Sequence, residues 1–280
     1  MYHFAATSRI AERRLARSQK VIVMNQASFP DIFSLRGQTV LITGGGTGIG
    51  FAVARGMHAA GAKVILVGRR EPELNAAVGS LGAGSAYMVH DITKVDEAQA
   101  FVERLVNEHG PVTSLVNNAG IHLKKPAVET TPEEFQKVLT THILGAHALS
   151  RAVIPGMVER QHGTIIFMAS MASLFGIPLV VAYAAAKSAM IGMLRTMATE
   201  LSVHGIRVNA IAPGWIETEM SRKALEGDPT RKMKIISRTP MAKLGDPSDV
   251  GWAAVYLASP AAKFVTGAVL PVDGGASMGF

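Results

Sequence analysis

The stretch TVLITGGGTGIG, from Thr39 to Gly50, decides the predicted fold. Its first five residues are β-branched or apolar, which indicates a short buried strand. A glycine cluster follows, and then a helical pattern runs from Ile49 to Ala60 and stops at Gly61. A strand joined to a helix through glycines is typical of the first unit of a parallel α/β sheet.

The same alternation of apolar strands and helices continues along the chain. Further strands are predicted at 63–67, 87–90, 114–116, 163–168, 207–212 and 268–272. Helices are predicted at 71–81, 95–108, 132–159 (as one helix or two), 183–204 and 249–257. We therefore expect an α/β fold, a single doubly wound Rossmann-type domain with a mostly or fully parallel sheet and helices on both faces.

This domain is expected to cover residues 31–280, after a basic extension at 1–30. Residues 215–244 break the alternation and are rich in charge and methionine, so they are predicted to form a substrate lid. Two interpretations of residues 1–23 stay open. One is a segment outside the functional chain, either because translation starts at Met24 or because it is a disordered, dispensable tail, and the other is an arginine-rich mitochondrial presequence.

Composition excludes several classes of function. The chain of 280 residues has no cysteine, so it has neither disulfides nor thiolate metal sites, and no metal site is predicted. The net charge of +7 is concentrated in the basic extension, and aromatic stacking motifs are missing, so no nucleic-acid partner is expected. No apolar run is long enough to span a bilayer, and a cytoplasmic enzyme is the expectation.

The glycine turn predicts a phosphate site. Glycine allows a sharp turn and a close approach to a pyrophosphate, while the following helix directs free N–H groups and its positive dipole end toward it. Its place after the first strand favours a dinucleotide. The candidate ligands here are Thr43, Gly44, Gly46, Thr47, Gly48, Ile49 and Gly50.

Three more motifs follow in order: Asn117–Gly120 after the fourth strand, Tyr183 with Lys187, and Pro213-Gly214 after the sixth strand. Together with the glycine turn they resemble the short-chain dehydrogenase/reductase family over roughly residues 33 to 275. The resemblance implies a nicotinamide cofactor. It adds these residues to the cofactor site: Asp91 and Ile92 at the adenine; Asn118, Ala119 and Gly120; Tyr183 and Lys187; and Pro213, Gly214, Ile216 and Thr218 beside the nicotinamide.

The end of the second strand predicts which nicotinamide cofactor binds. In Rossmann folds an acidic residue there binds the ribose hydroxyls and selects NAD. This strand instead ends in Gly68-Arg69-Arg70. Arg69 can pair with a 2′-phosphate and no carboxylate repels it, so NADP(H) is expected to be preferred over NAD(H).

Tyr183 and Lys187 are the predicted centre of the chemistry. Four residues apart on a helix, they share one face. A nearby ammonium, together with the positive nicotinamide ring, is expected to stabilise the phenolate and lower the pKa of the tyrosine. Ser170 ends the fifth strand and precedes Tyr183 by the spacing at which the family places its substrate-orienting serine. Ser173 is a nearby alternative. The resemblance also implies that Lys187 binds the nicotinamide ribose.

His142 departs from the family pattern. It occupies the position of an asparagine that, in the family, holds a water relaying protons to the lysine. Histidine can also hold a water, and it titrates near neutral pH. Two interpretations stay open, a proton relay and a buried structural histidine.

The expected reaction is hydride transfer between a secondary alcohol and a ketone. Resemblance to gluconate 5-dehydrogenase members rests on Phe33-Ser34-Leu35, on Ile121 followed by the basic pair Lys124 and Lys125, and on Arg238-Thr239-Pro240. It implies a sugar-acid substrate. One alternative is a 3-oxoacyl-[acyl-carrier-protein] reductase-like enzyme with basic residues that dock an acidic partner. Another is an NADP-binding sensor or scaffold without turnover. Asp273-Gly274-Gly275 resembles the family's subunit-contact signature, which implies a homotetramer.

Overall fold

The computed structural model describes residues 30–219, 221–222 and 229–278. The basic extension predicted at 1–30 therefore lies, apart from Pro30, outside the described residues. Residues Phe33–Phe280 form one compact unit.

The elements alternate as predicted. The strands are β1 (Thr39–Thr43), β2 (Lys63–Gly68), β3 (Ser85–Val89), β4 (Ser114–Asn117), β5 (Gly163–Met168), β6 (Ile206–Pro213) and β7 (Val269–Val272). The α-helices are α1 (Gly48–Ala59), α2 (Glu71–Leu81), α3 (Ala98–His109), α4 (Pro132–Leu139), α5 (Gly145–Arg160), α6 (Val181–Leu201), α7 (Pro229–Ser237) and α8 (Pro247–Ala258). Most bounds agree with the prediction within a few residues.

All seven strands lie in one parallel sheet of order β3-β2-β1-β4-β5-β6-β7. The strand order reverses between β1 and β4, and ligands of such sheets bind outside the carboxyl ends of the strands at this switch point. The glycine turn after β1 and Asn118 after β4 lie there, and Ser170 follows β5 next to it.

Two apolar layers cover the sheet, one on each face. In β1, Leu41 belongs to one layer, while Val40 and Ile42 belong to the other, because side chains of a strand alternate between faces. Helices α1 and α8 pack tightly on one face, where a Cβ added to Gly56 would lie 3.2 Å from the carbonyl oxygen of Gly251. Both layers are buried, which explains why the strands are almost continuously apolar.

The helical region predicted at 132–159 is interrupted. A π-helical turn, Thr140–Leu144, separates α4 from α5. Such single-turn π segments are frequently found at functional sites, and this one contains His142. A single π-helical turn is too short to produce a periodic pattern of apolar residues, so the sequence does not reveal it.

Backbone hydrogen bonds join the two ends of the segment that is predicted to form a lid. Ile216 and Gly245 form an isolated bridge, with Glu217 N–H donating to Gly245 O at 2.8 Å and Gly245 N–H donating to Trp215 O at 2.9 Å. Helix α7 lies between these ends. Among the described residues, no helix is long and apolar enough to cross a membrane.

Candidate active site

The glycine turn requires glycine at particular positions. Gly44 and Gly48 have φ values of +64° and +56°, a region that other residues rarely adopt. A Cβ added to Gly50 would lie 2.2 Å from the carbonyl oxygen of Gly44, which leaves no room for any side chain. The first turn of α1 is therefore held directly beneath the loop, as close phosphate approach requires.

Thr43 and Asn118 fasten this turn to the neighbouring strand β4. The Thr43 hydroxyl accepts hydrogen bonds from the N–H groups of Asn118 and Ala119, both at 3.0 Å. The Asn118 amide donates to Thr43 O at 2.9 Å and to Gly44 O at 3.3 Å. These two side chains, predicted as cofactor ligands, are thus engaged in shaping the cradle.

The two arginines after β2 are exposed, and each forms an ion pair with a different carboxylate. Arg69 is 3.8 Å from the carboxylate of Asp91. Arg70 is 2.7 Å from Glu73 and donates to the Thr47 hydroxyl of the glycine turn at 3.3 Å. Arg70 was not among the predicted site residues, and the repetition of arginine after β2 is the signal that could have found it.

Asp91 and Ile92 follow β3 at the same edge of the sheet. Burial alone would raise the pKa of Asp91, but hydrogen bonds from Thr93 and the nearby charge of Arg69 outweigh it and lower the pKa. Asp91 is therefore a carboxylate at neutral pH, able to accept a hydrogen bond from an amino group. Ile92 is buried beside it.

The predicted nicotinamide loop lies across from the glycine turn. Gly214 packs on Asp273, whose Cα would be 2.6 Å from a Cβ added at residue 214. Ile216 is buried, and the hydroxyl of Thr218 accepts a hydrogen bond from the N–H of Ser221 at 3.1 Å. The methyl group of Thr218 would lie 3.8 Å from a Cβ on Gly48, so this loop and the phosphate turn approach each other.

Helix α6 places Lys187 below Tyr183 and points it back toward the sheet. The lysine is only 3 % exposed, and its ammonium donates to the carbonyl of Met168, the last residue of β5. Burial lowers the pKa of Lys187 to about 7. Its Nζ atom lies 5.5 Å from the centre of the Tyr183 ring.

Tyr183 is partly buried between two histidines. The ring of His122 is 5.1 Å from it and the ring of His142 is 5.5 Å from it, centre to centre. Burial raises the pKa of Tyr183, and the hydrogen bond with Ser170 offsets only part of this rise. In the folded chain alone the pKa of Tyr183 is therefore above its ordinary value, and the lowering expected from Lys187 together with the nicotinamide ring stays a prediction.

Ser170 lies within hydrogen-bonding reach of Tyr183. Its buried hydroxyl accepts the N–H of Ala172 at 3.1 Å, which orients the side chain. The alternative candidate, Ser173, donates its hydroxyl back to the carbonyl of Ser170. Ser170 is thus the better placed of the two serines.

His142 is 2 % exposed and anchors the loop after β4. Its Nε2 lies 2.8 Å from Ile121 O and 3.1 Å from Ile121 N. Position 120, just before Ile121, must be glycine, since a Cβ on Gly120 would lie 2.2 Å from the imidazole of His142. Burial, reinforced by the charge of Lys187, lowers the pKa of His142 to about 3.

A histidine with this pKa is neutral at physiological pH. The expectation that His142 titrates near neutrality is therefore wrong, because burial and the charge of Lys187 outweigh the hydrogen bond with the Ile121 carbonyl. Its Nδ1 has no hydrogen-bond partner within the described part of the chain.

Among the described residues, no group of three or more His, Asp or Glu side chains could hold a metal ion.

His122 is a further residue of the candidate site that was not predicted from the sequence. It is exposed, follows the Asn117–Ile121 motif directly and contacts the ring of Tyr183. Its position just past the carboxyl end of a central strand was the available signal.

Comparison with known proteins places this arrangement in context. Residues 44–277 match the family model described as Enoyl-(Acyl carrier protein) reductase. The chain is 40% identical over 248 residues to a 5-keto-D-gluconate 5-reductase of Escherichia coli strain K12, covering 88% of this chain and 97% of that protein. It is 36% identical over 245 residues to a 3-oxoacyl-[acyl-carrier-protein] reductase of Vibrio cholerae, covering 88% and 99%.

A solved structure shows the same fold. The gluconate 5-dehydrogenase of Burkholderia cenocepacia, crystallised in complex with NADP and tartrate, superimposes with a TM-score of 0.85 at 32% identity. The similarity covers 89% of this chain and 98% of that one.

Proposed function

This chain belongs to the short-chain dehydrogenase/reductase family of NAD(P)-dependent oxidoreductases, and from that premise we propose that it interconverts a ketone and a secondary alcohol of a sugar acid, using NADP(H). The observation that carries the proposal is the placement of Ser170, Tyr183 and Lys187. All three lie at the carboxyl edge of the sheet, beside the switch point that holds the glycine turn.

When bound, the nicotinamide supplies a hydride to the carbonyl carbon or takes one from the alcohol carbon. In the reductive direction, Tyr183 gives its hydroxyl proton to the carbonyl oxygen, and Ser170 donates a hydrogen bond to the same oxygen. The O–H bond of Tyr183 breaks as the new alcohol O–H bond forms. The resulting phenolate is stabilised by the ammonium of Lys187, 5.5 Å from its ring centre.

The protonation states favour reduction at neutral pH. Because burial raises the pKa of Tyr183, this side chain carries the proton that reduction consumes. Alcohol oxidation needs the phenolate and should therefore become faster as pH rises.

Preference for NADP(H) is supported by the two arginines that follow β2, next to the glycine turn. Arg69 and Arg70 are both exposed, and a guanidinium forms charge-assisted, bidentate hydrogen bonds with a phosphate, so either arginine can pair with a 2′-phosphate. Arg70 already touches Thr47, and Asp91 lies beside Arg69 rather than at the end of β2. The carboxylate that would disfavour NADP(H) is missing from the end of that strand.

Sugar acids are the proposed substrates because two of the similar proteins act on or are named for gluconate derivatives. The second candidate is a 3-oxoacyl-[acyl-carrier-protein] reductase activity, favoured by similarity over almost the same length. A sensor or scaffold without turnover is disfavoured by the side-chain placement of Ser170, Tyr183 and Lys187.

We further propose that the enzyme is a cytoplasmic homotetramer. The cysteine-free sequence suits a reducing compartment. The free edge strand β7 and the exposed side chains of Trp252 and Phe264 offer apolar surface for subunit contacts. Sedimentation equilibrium at several concentrations should give four times the mass of one chain.

A substrate panel tests the proposed function directly. Oxidation of NADPH should be followed with 5-keto-D-gluconate, an uncharged ketose, a steroid ketone and acetoacetyl thioesters, the last with and without carrier protein. The proposal expects the keto acid to give the highest kcat/KM. Fastest turnover of the carrier-bound thioester would replace it with the second candidate, and no turnover of any carbonyl would favour the sensor.

A further inference from the structure

The segment after β4 has two different faces. Along residues 121–125 burial alternates: Ile121, Leu123 and Lys125 are partly buried, whereas His122 and Lys124 are exposed. Side chains of an extended backbone point alternately to opposite sides. His122 and Lys124 therefore share one face, and Lys125 belongs to the other.

The inward face attaches the segment to the domain. Ile121 and Leu123 pack against a small apolar cluster that contains Val138 and Ala182. The backbone N–H of Lys125 donates to Leu179 O at 2.7 Å, and its ammonium contacts both carboxylate oxygens of Glu134 at 3.0 Å. The positive charge of Lys125 is thereby neutralised on α4.

The outward face carries His122, which lies next to Tyr183, and Lys124, whose charge is unpaired among the described residues. The His122 ring contacts the Tyr183 ring at 5.1 Å. Lys124 lies two residues farther on, about 7 Å along an extended chain. Within the described residues its ammonium has neither an ion-pair nor a hydrogen-bond partner.

We propose that Lys124 binds the carboxylate of the substrate, and that His122 lines the path between this carboxylate and Tyr183. The inference rests on the proposed function and names the charge-recognising residue. The separation predicts a preference within the substrate class. A straight-chain acid whose carbonyl is several carbons from the carboxylate fits this separation better than a 2-keto acid does.

The adjacent lysine makes a matched control. Lys124→Met and Lys125→Met remove the same charge from neighbouring residues, but only the first is expected to affect the substrate. Binding of D-gluconate to the NADP⁺-loaded enzyme is measured by calorimetry, and kcat/KM is measured for 5-keto-D-gluconate and for an uncharged ketose. The melting temperature of each variant reports its fold.

Lys124→Met should weaken gluconate binding about tenfold and lower the ratio of kcat/KM for the keto acid over the uncharged ketose by a similar factor. Lys124→Arg should restore most of both. Lys125→Met should lower the melting temperature, because Glu134 loses its partner, while gluconate affinity and the substrate ratio stay at wild-type values.

The outcomes separate this inference from the proposed function. If the wild-type enzyme reduces the keto acid and Lys124→Met keeps the same ratio, or if Lys125→Met loses it instead, the assignment is overturned and the proposed function stands. If gluconate binding depends on Lys124 but no sugar acid is turned over, the subsite is supported and the proposed function fails. Failure of the wild type to bind gluconate overturns the subsite as well.

Discussion

Two regions of the molecule use basic side chains in opposite ways. In the proposed catalytic centre, Lys187 and His142 are buried, and burial lowers the pKa of each. In the proposed ribose corner, formed by Arg69, Arg70 and Asp91, both arginine side chains are 65% exposed and pair with partly exposed carboxylates. Burial thus makes a basic group neutral or adjustable, which suits proton chemistry. Exposure preserves a permanent charge, which suits recognition of an anion.

The largest effect should come from removing the acid of the catalytic centre. Tyr183→Phe should lower kcat by about 10²- to 10⁴-fold, since the proton donor is lost while the ring and its contacts remain. Tyr87→Phe is the control, because Tyr87 bonds to Glu71 near the ribose corner, away from the reaction. Retained activity in Tyr183→Phe, with unchanged NADPH affinity by fluorescence titration, would remove this side chain from the mechanism.

The next effect concerns the pH dependence of stability. Lys187 has a pKa of about 7 in the folded chain against 10.5 unfolded, so between these values the unfolded chain binds more protons. The penalty for the buried ammonium is complete below about pH 7 and is relieved as pH rises, by at most about 1.4 kcal/mol per pH unit.

Lys187→Met should lose this dependence. Urea unfolding at pH 7, 8 and 9 should show the stability difference between wild type and variant shifting in favour of the wild type as pH increases. A pH-independent difference would mean that the lysine stays fully charged in the folded enzyme.

A smaller effect is expected in the ribose corner. NADPH should bind at least about tenfold more tightly than NADH, or about 1.4 kcal/mol, and Arg69→Asp should reverse that order. Lys94→Asp is the control, because it reverses an exposed charge whose one ion-pair partner among the described residues is Glu97. Equal affinity of the wild-type enzyme for NADPH and NADH would contradict the contrast between the two regions, because the exposed arginines would then not recognise the 2′-phosphate.

The smallest effect is expected for His142→Asn. An amide can also contact the backbone of Ile121, so activity should be largely kept, and the pH–rate profile near neutrality should not change because His142 is neutral there. His142→Leu leaves the Ile121 groups unpaired and should destabilise the fold by about 1–3 kcal/mol. Loss of a neutral-range inflection in His142→Asn would restore the proton-relay interpretation.

The sequence was most informative where the relevant groups are close along the chain. The βα alternation, the glycine turn and the Tyr183–Lys187 spacing were all predicted correctly as local structure, because periodicity and glycine conformation depend on a few successive residues. The π-helical turn at Thr140–Leu144 was not predicted, since no local residue pattern distinguishes it from a continuous helix.

The sequence by itself determined the doubly wound fold, the family and the identity of the candidate site residues. Only the tertiary structure decided the chemical state of those residues. Lys187 loses part of its charge because it is buried against Met168. His142 is neutral because it is enclosed by Ile121 and Gly120. Lys125 is paired and Lys124 is not, although they are neighbours in sequence, because Glu134 approaches only one face of the segment. Charge and pKa depend on groups brought together from distant positions, and their arrangement exists only once the chain has folded.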